Sequence, residues 1–155
     1  MDHEHRHAAP GSYGRFSLEL AVDFVLMYLV MYTMIATLAH FHLNLNNVYM
    51  TLMMVAPMAI IMLVSMRSMF PSRTINLAIC IGAAMIFLAS FVAMRTQAGV
   101  GNAEFLRSMI PHHSGAILMC EQASISDPEI AALCRDIVES QQKELAQMRA
   151  ILQRY

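Results

Sequence analysis

Two adjacent histidines, His112 and His113, follow Met109 in the C-terminal third of the chain, and a later stretch carries Gln141, Glu144 and Met148. Imidazole, carboxylate and thioether are side chains that hold transition metals. Thioether sulfur is a soft donor that favours Cu(I), and imidazole suits copper in either oxidation state. The hard all-oxygen set that Mg²⁺ or Ca²⁺ demands is absent. A carboxylate-bridged di-iron site would want Glu-x-x-His, and the residue three before His112 is Met109. Copper is therefore the expected ion, Cu(I) first and Cu(II) also accommodated, with no organic cofactor. Its candidate ligands are Met109, His112, His113, Glu144 and Met148, with Gln141 behind them. The bland alternative makes the methionines plain core and one histidine a solvated surface residue.

Helices must bring these groups together. From Glu104 to about Ser124, Phe105, Met109, His112, His113, Ala116, Met119, Cys120 and Ala123 recur at steps of three and four, one stripe of a 3.6-residue period. Pro111 cannot bond back to the carbonyl of Arg107, which predicts a kink or a restart just before the histidines. Asp127 reads as an N-cap, Pro128 as the first helical residue and Glu129 as a favourable charge in the first turn. The second helix carries the stripe Ile130, Leu133, Cys134, Ile137, Gln141, Glu144, Leu145, Met148, Ile151 and Leu152. In an antiparallel hairpin turning near Ser126, facing residue numbers sum to roughly 252. His112 and His113 then face Gln141 to Glu144, so the polar breaks in the two stripes coincide. Cys120 meets Cys134 nearer the turn, as a disulfide worth about 3 kcal/mol in the chain-entropy model or as thiolate ligands of the same soft metal.

The rest of the chain is built for lipid. Of 155 residues, 57% are hydrophobic and 14% charged, against a soluble average near 25% charged. Ten Lys+Arg against eleven Asp+Glu leave a net charge of -1, which excludes a nucleic-acid binder, and the apolar excess excludes a disordered tail. The excess sits in three blocks, Phe24 to Phe41, Val48 to Met66 and Ile75 to Met94, none of which contains Asp, Glu, Lys or Arg. Each matches the roughly 30 Å of hydrocarbon that a helix must cross, so three transmembrane helices are expected. A buried soluble hairpin would need polar faces at helical period. A signal peptide competes for the first block, but Thr37-Leu38-Ala39 is a poor cleavage site and the block is long.

Arg6 and Arg15 precede the first block and Arg67 and Arg73 follow the second, while His42 to Asn47 carries no Lys or Arg. The positive-inside rule then puts the N-terminus in the cytoplasm and the hairpin on the other side. The expected organisation is a cytoplasmic His-rich tail over 1–15, a membrane domain over 16–97, a linker over 98–102 and the hairpin over 103–155. Weaker metal candidates are His3, His5 and His7 in the tail, and Met54, Met58 and Met62 in the Met50 to Met66 stripe of the second block. Met27, Met31 and Met34 share a face of the first. Ordinary membrane packing accounts for both stripes. Cys80, in the third block, reads as a small packing residue.

The run Phe105-Leu106-Arg107-Ser108-Met109-Ile110-Pro111-His112-His113-Ser114-Gly115-Ala116-Ile117-Leu118-Met119-Cys120, with Gln141-x-x-Glu144-x-x-x-Met148 after it, resembles the bacterial domain-of-unknown-function 305 family. Three preceding membrane helices resemble a membrane-anchored branch of it. The resemblance implies a ferritin-like, helical, extracytoplasmic domain linked to copper binding and tolerance, and carries over Met109, His112, His113, Met119 and Met148 as ligands. The expected fold is thus all-α: three transmembrane helices, then an extracytoplasmic antiparallel hairpin that is half of a ferritin-like four-helix bundle. Half a bundle invites a second copy through the hairpin, as a homodimer or higher homo-oligomer.

The expected function is copper buffering, tolerance or hand-over to an exchange protein, from the bacterial inner membrane with the hairpin in the periplasm. No nucleophile with its base, phosphate loop or paired acid carboxylates argues for an enzyme. The alternatives are a copper transporter using the membrane methionine stripe, and a non-catalytic structural or assembly protein.

Overall fold

A computed structural model describes residues 13–155, so His3, His5 and His7 lie outside the described residues. Five helices follow in order: α1 (Tyr13–Val30), α2 (Leu45–Ser65), α3 (Arg73–Thr96), α4 (Asn102–Gln122) and α5 (Pro128–Leu152), with a 3-10 turn at Leu38–His40. No strand occurs among the described residues. The described residues fold into two compact units, 13–27 with Tyr49–Thr96, and Tyr28–Val48 with Gln97–Tyr155.

In the first unit, the Tyr13 hydroxyl donates to Asn76 Oδ1 at 2.9 Å and accepts the Ser72 N–H at 3.3 Å. Phe16 packs edge-on against Phe70 with ring centroids 5.4 Å apart. These aromatics fasten the start of α1 to the α2–α3 connector. Phe16, Phe70 and Leu63 share a core with Ala56, Ala59 and Ala83, whose small side chains let helices approach closely. Cys80 packs against this core as a free thiol. Helices α2 and α3 are long and apolar enough to cross a membrane. Only 11% of the apolar window of α3 is buried, so it is not the core helix of this unit and leaves Leu77, Ile81, Met85, Leu88 and Val92 uncovered.

The first apolar block is not one helix, which corrects the expected third span over Phe24 to Phe41. α1 stops at Val30, and residues 31–44 form turns, the 3-10 turn and an extended stretch. Met31 and Met34 therefore leave the helical face that Met27 occupies. Polar contacts outcompete helix propagation here. Thr33 Oγ bonds back to the Val30 carbonyl at 2.9 Å, and the Tyr32 hydroxyl donates to the His42 carbonyl at 2.9 Å. Asn44, 4% exposed, donates through Nδ2 to the Tyr32 hydroxyl and the His42 carbonyl, both at 3.1 Å. Helix α1 also carries Arg15, Glu19 and Asp23, whereas α2 has no charged residue and α3 has Arg73 and Arg95 only, at its two ends.

The second unit gathers that returning segment with α4 and α5. Asn44 Oδ1 caps α2 by accepting the Asn47 N–H at 2.9 Å, and Glu104 Oε2 accepts the Leu45 N–H at 3.2 Å. Gln97 adopts φ 52° and Gly99 φ 72°, left-handed conformations that end α3 and turn the chain into α4. Pro111 lies inside α4, which runs through it with no restart. Asp127 caps α5, its Oδ1 accepting from Glu129 N at 2.8 Å and Ile130 N at 3.1 Å, with Pro128 at the first helical position. Helices α4 and α5 pack together through Leu106, Ile110, Ile117, Leu145 and Met148.

Candidate functional site

The packing of α4 on α5 can be read from three pairs. Cys120 and Cys134 form a disulfide with Cα atoms 5.3 Å apart, His113 meets Glu144, and the Asn102 Nδ2 donates to the Tyr155 hydroxyl at 3.1 Å. Of the two roles open to the cysteines, the bridge is the one formed.

His113 is the centre of the polar layer. It is 7% exposed and belongs to the buried stripe of α4 with Leu106, Ile110 and Ile117. Its Nδ1 lies 2.9 Å from the Met109 carbonyl and its Nε2 lies 2.7 Å from Glu144 Oε2. A carbonyl only accepts, so Nδ1 carries a hydrogen. A second proton must then lie between Nε2 and the carboxylate. Both ring nitrogens are committed, whereas the Glu144 side chain remains 52% exposed against 9% for His113. Glu144 is the movable partner of the pair.

The structure sorts the other candidates by depth. Met148 is buried in the core that α4 and α5 share, and Met109 is partly buried against it. Gln141 is half-buried, and its Oε1, like Ser108 Oγ, is shielded from solvent with no hydrogen-bond partner among the described residues. His112 is exposed, its ring 6.1 Å from that of His113 and inclined by 73°. Met119 is 61% exposed and Phe105 51% exposed, so the buried stripe of α4 is offset from the expected one. It runs through Leu106, Ile110, His113, Ser114, Gly115 and Ile117. Met54 is exposed and Met58 and Met62 are half-buried on α2, in the first unit. Among the described residues no three of His, Cys, Asp and Glu converge on one point. A metal held there would need thioether donors as well, and Met109 and Met148 are the methionines of the α4–α5 core.

A second histidine pair was not singled out in the sequence. Ser114 is fully buried on α4, and its Oγ accepts the Ala36 N–H at 2.7 Å and bonds His40 Nδ1 at 2.8 Å. Burial, then Arg149 and His42, hold the His40 imidazole below its ordinary pKa. Burial, then Arg107 and Arg149, do the same to His42, whose Nε2 is shielded from solvent with no partner among the described residues. His40-x-His42 at the end of an apolar block, and a small Ser-Gly pair inside an amphipathic stripe, were the available signals.

Residues 85–152 match a domain of unknown function, DUF305, so the match begins within α3 and not at α4. An uncharacterized protein of Acanthamoeba polyphaga mimivirus is 38% identical over 112 residues, covering 71% of this chain and 72% of the viral one. No solved structure matches.

Proposed function

The chain belongs to the family of the domain of unknown function DUF305, and on that premise we propose that it is a membrane-anchored binding protein for copper, holding Cu(I) on its extracytoplasmic helical hairpin. The observation that carries this reading is the buried His113 paired with a half-exposed Glu144 across two helices whose shared core includes Met148, with Met109 packed against it. The donor types fit a soft ion: one imidazole, thioethers and a half-exposed carboxylate. Copper would supply no chemistry beyond being held, so the role is buffering, tolerance or hand-over to an exchange protein and not catalysis.

The uncovered apolar length of α3, with α2 beside it in sequence, supports anchoring in a bilayer. The charge asymmetry of the connectors supports a bacterial inner-membrane topology with the hairpin in the periplasm. Phe105, His112 and Met119, seven residues apart and all exposed, form an unpartnered stripe with Ile130 and Leu133 uncovered on α5. That stripe supports a second copy completing a ferritin-like four-helix bundle, with His112 and Met119 in the seam.

One observation favours a structural reading instead. Both ring nitrogens of His113 are satisfied, as in a buried polar clamp that fixes the register of two helices. Titration of the full chain in detergent with Cu(I) against a chromophoric competitor separates the two. His112→Ala/His113→Ala and Met109→Leu/Met148→Leu should each weaken binding by about tenfold or more, the loss of one good ligand contact. Equal affinity in wild type and both variants overturns the copper reading and leaves the clamp.

A further inference from the structure

A cavity of about 270 Å³ in the second unit is lined by Ala39, His42, Arg149, Leu152 and Gln153. Its chemistry is unlike that of the His113 layer. Arg149 has no carboxylate partner among the described residues, whereas Arg107, the other cation near His42, is paired with Glu104 at 2.8 Å. His42 Nε2 is buried without a partner among the described residues, an arrangement that is costly unless something fills it. The last carbonyls of α5 are already used: Arg149 O accepts from Gln153 N, Ile151 O from Arg154 N and Leu152 O from Tyr155 N. Arg149, the basic residue of the last turn of α5, offsets the negative end of the helix dipole. A guanidinium, an imidazole and a side-chain amide then remain as donors around one hole, with no carboxylate in its lining. Such a set repels metal cations and suits an oxyanion.

We propose that this cavity binds a phosphate-class oxyanion, held by the Arg149 guanidinium with His42 and Gln153 as further donors. The His42 ring turns its Nε2 to the ligand, and the orphaned nitrogen gains its partner. His42 stands three residues before Leu45, the first residue of a helix long enough to span a bilayer. Three residues reach at most about 10 Å, which puts the phosphate of a lipid headgroup within range as well as a free phosphate. The lipid source rests on the membrane anchoring proposed above; the anion site itself does not.

The test uses the full chain in zwitterionic detergent, with the His42 ring resonance assigned by His42→Gln. Inorganic phosphate is titrated in one arm. In the other, nanodiscs of phosphatidylcholine are compared with nanodiscs that also contain phosphatidic acid. A saturable shift of the His42 resonance is expected in at least one arm, and the arm that saturates identifies the source. Arg149→Gln should weaken it about tenfold, as loss of a charge-assisted hydrogen bond does, while Arg135→Gln, elsewhere on α5, leaves it unchanged. Arg149→Lys keeps the charge without the fork and should weaken it by a smaller factor, which preserves the test if the glutamine variant unfolds. No saturable shift in either arm, or equal affinity in the Arg149 variants and wild type, overturns the proposal.

Discussion

His113 Nε2 lies 2.7 Å from Glu144 Oε2, while the Nδ1 of the same ring donates to the Met109 carbonyl at 2.9 Å. One buried imidazole therefore ties α4 to α5 and leaves neither nitrogen idle. The two ends of the pair differ in cost of removal because only His113 is buried.

Glu144→Leu should lower the stability of the α4–α5 pair by about 1–3 kcal/mol, the cost of leaving a buried ring nitrogen unsatisfied. Glu144→Gln should cost less, because its amide can donate to Nε2 of a neutral ring that keeps its hydrogen on Nδ1. Thermal unfolding of the full chain in detergent, followed by circular dichroism, measures both. Equal losses in the two variants would mean that Nε2 does not depend on residue 144.

Cys120 and Cys134 are 14 residues apart and close the turn end of the same helix pair. Cys120→Ser, Cys134→Ser and the double variant should destabilise it by the same amount, about 3 kcal/mol for a loop of this length in the chain-entropy model. Each removes the one bond. A dithiol reductant should bring wild type to the same midpoint, and a wild-type midpoint insensitive to reductant contradicts the prediction.

The legible parts of this fold were those that local rules determine. Asp127-Pro128-Glu129 announces a capped helix start whatever surrounds it, and the charge-free runs of α2 and α3 give their helices to within a few residues. The run from Phe24 to Phe41 is as free of charge and behaves differently, because Thr33 bonds back to the Val30 carbonyl and Ser114 takes the Ala36 N–H. Ser114 is distant in sequence, and no periodicity reports its contact with Ala36. The α4 stripe failed for a related reason. Counting His112, Met119 and Phe105 as core followed their spacing, but Ser114 and Gly115 face inward because the returning segment needs small residues there.

The histidines of that segment make its docking acid-sensitive. His40 and His42 both have pKa values lowered below the ordinary 6.5 by burial, with Arg149 and His42 facing His40, and Arg107 and Arg149 facing His42. A depressed folded pKa means that the undocked chain binds more protons below about pH 6.5. The docking stability is complete above that value and is lost as the pH falls through the lowered folded values. Exchange of the Ala36 N–H, which donates to Ser114 Oγ, reads this directly. After correction for intrinsic rates it should be several-fold faster at about pH 5.5 than at about pH 7.5. His40→Gln should flatten the dependence, and a pH-independent wild type would contradict it.

Gly115 marks how closely the segment approaches α4. A Cβ built there would lie 3.5 Å from the Met34 carbonyl oxygen and 3.8 Å from Met34 Cβ, ordinary contacts that require no shift. Alanine should therefore fit, and removing a glycine from a helix interior is worth about 0.5–1 kcal/mol. Gly115→Ala is expected to raise the unfolding midpoint and leave Ala36 exchange unchanged. Gly115→Leu has no room beyond the first carbon and must push Met34 away, which frees Ala36 N–H from Ser114 and accelerates its exchange. If alanine destabilises the protein as much as leucine does, contact with Met34 is not what limits the side chain at position 115.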